Sequence, residues 1–269
     1  MEYRKIALLD KTGKISYELL EQIANAIQIQ LQRDVAPKWD VTGEVRAFRT
    51  FAEIPTGFWT VTVVEETENK FNGTHWYDST TNIPYAQARL TDWVTQNYSQ
   101  NHLTKVLSEE IIEMCIDPYG QRIVKGKDFE DSTKEVEFLV ELADPIANPS
   151  IGYYINDIFV TNFIYPSYFN VTHIQGTKYD HLGLLKKPLD LFDRSYQIFR
   201  RAGQWFKAFM VQGKIVVRKG TEGVPLQNEE SIKLWQILIG VLMVGFLLVF
   251  ARRVIKLFGS KNTKRQLSK

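Results

Sequence analysis

The acidic residues between positions 107 and 118 have the types and spacing in this chain most suited to chemistry. Glu109 and Glu113 are four residues apart, so they share one face of a helix, and Glu110 lies beside them. Carboxylates at this spacing repel one another unless water, a cation or a proton relieves the repulsion. Taken alone, the pattern is most simply a solvated acidic face of a helix.

The helix that carries these acids is predicted over residues 103–116, where apolar side chains cover a wide part of its surface. Pro118 should end it. We therefore expect the helix to pack into the domain and to place its acids at a groove or an edge. A second acidic motif follows at Glu141, with Asp144 and Pro145 after it.

These two motifs resemble an uncharacterised bacterial and phage family with a zincin-like helix of the metallopeptidase type. The family pattern is roughly S-H-E-x-x-E-x-x-x-D-P, followed by Y-E-V-x-D-P. The matching residues of this chain are Ser108, Glu110, Glu113, Asp117 and Pro118 in the first motif, and Glu141, Asp144 and Pro145 in the second. The resemblance extends in consistent order over about residues 20–215.

One departure from the family pattern changes what the resemblance implies for a metal. The family places a His, which would be the first metal ligand, where this chain has Glu109. By resemblance, Glu113 and Glu141 are the other ligand positions, and Glu110 is the general base. Three carboxylates without an imidazole suit Ca²⁺ or Mg²⁺ better than Zn²⁺. We therefore expect no resident cofactor, or else Ca²⁺ or Mg²⁺, and a fold that persists without zinc chemistry.

Other common catalytic signatures are absent from the sequence. The four histidines occur at His75, His102, His173 and His181, and none lies in an H-E-x-x-H motif. The single cysteine, Cys115, excludes an intramolecular disulfide and a cysteine-based zinc site. The net charge of +2 is too small for a typical nucleic-acid-binding domain, which carries a strong positive charge.

The C-terminal part of the chain has a different composition. Residues 234–251 are 18 residues without a charge, which predicts a transmembrane helix, with a buried core helix as the less favoured alternative. Trp235 at one end, and Arg252 and Arg253 at the other, would anchor the helix at the two interfaces. Residues 252–269 hold seven Lys or Arg and no acid, so the tail is expected on the inner side of the membrane.

The sequence predicts an α+β fold: a zincin-like mixed sheet with two main helices, plus one C-terminal transmembrane helix. The first helix should begin after Ser16 as its N-cap and end at Pro37. Strands are predicted at residues 3–9, 41–51, 58–64, 83–93, 136–142 and 152–163, with a final β meander at 196–218. The expected domains are 1–220 for the globular part, 221–232 for a linker, 233–256 for the transmembrane helix and 257–269 for the basic tail.

We expect a membrane-anchored structural or interaction protein built on a catalytically degenerate metallopeptidase-like domain. An example would be a minor virion protein that links an internal membrane to a capsid. Its partners would be the lipid bilayer and other structural or capsid proteins, and the basic tail could attract nucleic acid by charge. The alternatives are a membrane-tethered metallohydrolase that uses Glu109, Glu113 and Glu141 with Glu110 as base, and a calcium site that rigidifies the fold.

Overall fold

The first strand of the chain is the centre of a sheet in the computed structural model, which describes residues 1–67, 71–90 and 100–220. Strand β1 (Glu2–Asp10) pairs in parallel with β2 (Val41–Ala47) on one side and with β3 (Trp59–Val64) on the other. Its residues 6–9 are buried without alternation, because both faces of the strand are covered by apolar side chains.

Two further strands complete this sheet, whose order is β2-β1-β3-β5-β4. Strand β5 (Ile83–Arg89) runs parallel to β3, and β4 (Gly73–Asp78) pairs antiparallel with β5 at the sheet edge. The sheet is therefore mixed, as predicted. The predicted strands at 41–51 and 83–93 are shorter than expected, and residues 91–93 lie outside the described part of the chain.

Helix α1 (Tyr17–Ile29) begins where the sequence predicts. The Ser16 hydroxyl accepts a hydrogen bond from the Leu19 backbone N–H at 3.2 Å, which confirms the N-cap. Its buried residues recur at helical spacing and pack against β1 and β2 of this sheet and against a later strand, β9 (Ile158–Thr161). These residues are Leu20, Ile23, Ala24, Ala26 and Ile27.

The prediction that Pro37 ends this helix is wrong. The chain stays helical through a π-helical segment (Gln30–Val35) and a short helix α2 (Ala36–Trp39). Pro37 lies in the first turn of α2, where a missing N–H costs little. The helical run ends instead at Asp40, whose φ of 57° is left-handed.

Helix α3 (Gln100–Ile116) carries the acidic motif and packs against β4, β5 and the hairpin strand β9. Its apolar side is fully buried, including Leu107, Ile111 and Cys115. The helix ends just before Pro118, as predicted.

The remaining strands form an antiparallel sheet and a hairpin. The sheet order is β12-β11-β10-β7-β6, and the hairpin pairs β8 with β9. Their bounds are Ile123–Lys127 (β6), Glu135–Leu139 (β7), Gly152–Ile155 (β8), Ile158–Thr161 (β9), Tyr196–Arg201 (β10), Gln204–Val211 (β11) and Lys214–Lys219 (β12). The predicted meander is confirmed, but the predicted strand at 152–163 is two strands, because Asn156 and Asp157 turn the chain at positive φ.

The predicted fold class needs correction. The fold is α+β with two main helical runs, but the strands are divided among a mixed sheet, an antiparallel sheet and a hairpin. Within residues 1–67, 71–90 and 100–220, no helix has the length and apolar character needed to cross a membrane, so the transmembrane element has no counterpart there. The predicted span at 233–256, with Trp235, Arg252 and Arg253, lies outside the described residues.

Candidate functional site

A histidine from the first sheet meets three glutamates in the interior of the domain. His75 Nδ1 lies 3.3 Å from Glu110 Oε2 and 3.9 Å from Glu113 Oε2, and its Nε2 lies 3.7 Å from Glu141 Oε2. We call these four residues the His75 cluster. Each of them is at most 8% exposed. The cluster is therefore a buried polar centre between β4, α3 and the segment after β7.

The cluster depends on the close approach of β4 to α3. Gly73 and His75 are two residues apart in β4, so both face the helix. A Cβ atom on Gly73 would overlap the carboxylate of Glu110 and would lie 2.6 Å from Val106 Cγ1. A glycine at this position therefore leaves the space that the Glu110 carboxylate occupies.

The two carboxylates that face Nδ1 of the imidazole come from one face of α3. Glu110 and Glu113 are three residues apart, which brings them to the same side of the helix. Glu113 Oε1 also accepts a hydrogen bond from the Ala143 backbone N–H at 2.8 Å, which joins the helix to the segment after β7. Only the second oxygen of Glu113 thus faces His75.

Glu141 reaches the cluster from the opposite side of the imidazole. Its Oε2 atom is buried and has no hydrogen-bond partner among the described residues. It lies 3.7 Å from His75 Nε2, beyond hydrogen-bonding distance. A buried carboxylate oxygen without a partner is costly, so Glu141 is the least satisfied member of the cluster.

Burial and mutual repulsion govern the protonation of the cluster. Burial raises the pKa of Glu110, and raises the pKa values of Glu113 and Glu141 well above the usual range. Burial alone would lower the pKa of His75, but the charges of Glu141 and Glu110 outweigh it and raise the pKa to about 9. Without another cation, the imidazole is therefore protonated at neutral pH, and part of the carboxylate charge is neutralised by protons.

Glu109, the residue at the position of the family's first ligand, has a different environment. Its carboxylate forms an ion pair with Lys105 Nζ at 3.0 Å, one turn earlier in α3. Its oxygens also lie within 4.8 Å of carboxylate oxygens of Glu113 and Asp144, so these three form a second acidic group. Burial raises the pKa of Asp144 to about 7, although the positive charge of Lys207 acts to lower it.

The ligand set predicted from the sequence is thus only partly assembled. Glu110, Glu113 and Glu141 all meet His75. Glu109 lies near Glu113 but is turned toward Asp144 and Lys105, away from the imidazole group. The sequence reasoning missed His75 for two reasons. It predicted no strand over residues 73–78, where the structure has β4, and a lone histidine carries no ligand signature.

Two other residues of the matched motif have structural roles. The Ser108 hydroxyl donates to the Lys105 carbonyl and accepts from the Thr161 backbone N–H, so it links α3 to β9. The Asp117 carboxylate accepts from the backbone N–H groups of Gln121 and Arg122 after the helix. These contacts explain both residues without any role in catalysis.

The chemistry open to the His75 cluster is proton storage or metal binding. His75, Glu110 and Glu113 each offer one ligand atom, and these atoms lie within 4.8 Å of one another. Comparison of the chain with protein-family models, with curated proteins and with solved structures gives no match. The functional argument therefore depends on the geometry of the cluster.

Proposed function

We propose that this chain is a non-enzymatic structural or interaction protein, built on a helix of the metallopeptidase type that no longer supports hydrolysis. The observation that carries the proposal is the enclosure of the acidic motif. His75, Glu110, Glu113 and Glu141 are each at least nine-tenths buried. A hydrolase must bring a water molecule and a substrate bond within about 3 Å of its general base, which this enclosure opposes.

The contacts of the motif residues favour the same conclusion. Glu109 is held by Lys105, Glu113 by the Ala143 N–H, and Glu110 faces His75. The contacts of Glu113 and Glu110 join α3 to other parts of the domain, whereas the ion pair of Glu109 lies within the helix. The acidic residues therefore serve the packing of α3, which is the role we assign to them.

An exposed apolar loop supports the interaction part of the proposal. Val171 and Ile174, in the loop after the short 3₁₀-helix Pro166–Phe169, are 66% and 60% exposed. The two side chains are three residues apart in one surface loop, where apolar groups could contact another protein. A structural protein of an assembly would use such a loop to bind its neighbour.

Metal-dependent hydrolysis is the second candidate function, and one observation favours it. Although Glu109 stands at the histidine position of the family pattern, the structure brings another imidazole, that of His75, to Glu110 and Glu113 from β4. A histidine and carboxylates together are a common ligand set of catalytic metals. The enclosure of the cluster makes this candidate the weaker one.

Hydrolysis assays on the full chain separate the two functions. We expect no cleavage of peptide or ester libraries above background with Zn²⁺, Mn²⁺, Mg²⁺ or Ca²⁺ present. The matched variants are Glu110→Gln, in the cluster, and Glu18→Gln, on the exposed side of α1. Metal-stimulated cleavage that Glu110→Gln abolishes and Glu18→Gln retains would overturn the structural proposal.

A further inference from the structure

We propose that His75, Glu110 and Glu113 bind one divalent cation of the kind that accepts mixed imidazole and carboxylate ligands, such as Zn²⁺ or Mn²⁺. The cation would join β4 to α3 in the interior of the domain. This inference goes beyond the proposed function, because a bound cation could support a structural domain or a hydrolase. It is therefore tested by binding and stability, without reference to activity.

The spacing of the ligand atoms suits a single cation. Ligand atoms at bond lengths of about 2.1 Å around a tetrahedral ion lie about 3.4 Å from one another. His75 Nδ1 lies 3.3 Å from Glu110 Oε2 and 3.9 Å from Glu113 Oε2. Small side-chain adjustments would be enough to bring the three atoms around one ion.

The charges around the cluster also favour a cation. Three buried carboxylates surround one imidazole. The ammonium group of Lys105, on the same helix, is engaged with Glu109. Buried acids in such excess are stable only when protons or a positive ion neutralise them.

Glu141 supplies an independent observation that points to a ligand. A histidine that binds a metal through one nitrogen usually donates the other N–H to a carboxylate, which fixes its tautomer. Glu141 Oε2, buried and without a hydrogen-bond partner, faces His75 Nε2 on the side away from Glu110 and Glu113. We assign Glu141 as the positioning residue that holds His75 with Nδ1 toward the cation.

The proposed site differs from the one that the sequence resemblance implies. In the proposed site Glu110 is a ligand, whereas the resemblance makes it the general base. Glu141 orients His75, whereas the resemblance makes it a ligand. His75 is a ligand that the resemblance does not include. The imidazole favours Zn²⁺ or Mn²⁺ over Ca²⁺. Glu109, Glu113 and Asp144 are a competing group of three carboxylates that would favour Ca²⁺ instead.

The first experiment uses the full chain after removal of metals with a chelator. Zn²⁺, Mn²⁺, Ca²⁺ and Mg²⁺ are added separately, and the bound metal is measured by mass spectrometry and by calorimetric titration. We expect one equivalent of Zn²⁺ or Mn²⁺. At a hundredfold excess over Kd, the unfolding midpoint should rise by about 5 °C or more.

Variants and a spectroscopic readout then assign the ligands. His75→Gln and Glu113→Gln should abolish stoichiometric binding, and Glu141→Gln should weaken it by about 10–100-fold. Glu109→Gln is the matched control on the same helix and should bind normally. Imidazole ¹⁵N spectra of the wild-type chain should report Nδ1 of His75 bound and Nε2 protonated, which assigns the site even if a variant fails to fold.

Three results would overturn the proposal. The first is that the wild-type chain binds none of the four cations in stoichiometric amount. The second is that it binds only Ca²⁺ or Mg²⁺. The third is loss of binding in Glu109→Gln while His75→Gln still binds, which would assign the metal to the competing carboxylate group.

Discussion

Gly73 lies directly against the Glu110 carboxylate in the interior of the domain, so a side chain at Gly73 would overlap that carboxylate. The absent side chain lets β4 approach α3 closely enough for His75 to reach Glu110 at 3.3 Å. A residue without an obvious role in the sequence is thus a condition for the His75 cluster.

Replacing this glycine tests that relationship. Gly73→Ala should destabilise the domain by about 1–3 kcal/mol, because the added methyl group forces Glu110 and Val106 to move. Urea unfolding of the full chain measures the change. In the double variant with Glu110→Ala, the cost of Gly73→Ala should fall by more than 0.5 kcal/mol, as expected for groups in direct contact. If the effects of the two changes on stability are additive, position 73 and the Glu110 side chain are not in direct contact.

Ser108 is predicted to act on stability and not as a nucleophile. Ser108→Ala leaves the buried Thr161 N–H without its acceptor, which should cost about 1–3 kcal/mol. Ser132→Ala, on an exposed turn, is the matched control and should change stability by less than about 0.5 kcal/mol. Equal effects of the two variants in thermal unfolding would show that the hydrogen bond between α3 and β9 does not stabilise the domain.

Asp117 should stabilise the turn that follows α3. Both of its carboxylate oxygens accept backbone N–H groups at 2.8 Å, and the residue is 2% exposed. Asp117→Ala should therefore cost about 2–3 kcal/mol, whereas Asp117→Asn keeps one acceptor oxygen and should cost about half as much. Denaturant unfolding of the two variants gives the comparison, and a similar cost for both would show that the second hydrogen bond contributes nothing.

The parts of the fold that follow from local sequence were predictable. Ser16 as N-cap, the helix ending before Pro118 and the β meander each depend on residues close together in the chain. The end predicted at Pro37 failed because a proline is harmless once a π-helical segment lets a new helical turn begin beside it.

The candidate site was less predictable than the fold. Glu110 and Glu113 could be found because their spacing on one helix is a local property. His75 could not, because nothing in β4 indicates which helix packs against it, and the strand lies 35 residues before Glu110. The ion pair of Glu109 with Lys105 is local by contrast, since the two residues are four apart on α3, and the sequence reasoning overlooked it.

The stability of the domain should fall between pH 7 and pH 5 in part through His102. Burial, with a smaller contribution from the charge of Lys105, lowers the pKa of His102 from 6.5 to about 4. The folded chain therefore favours the neutral imidazole. This stabilisation is complete above pH 6.5 and is lost as the pH falls toward 4.

The variant His102→Gln removes this titration. Between pH 7 and pH 5 the wild-type chain should lose about 1 kcal/mol more stability than the variant, a value reduced for the partial exposure of the side chain. Urea unfolding of both proteins at the two pH values measures the difference, and comparison with the variant cancels the contribution of all other titrating groups. A variant that follows the wild-type pH dependence would mean that His102 titrates alike in the folded and unfolded chains.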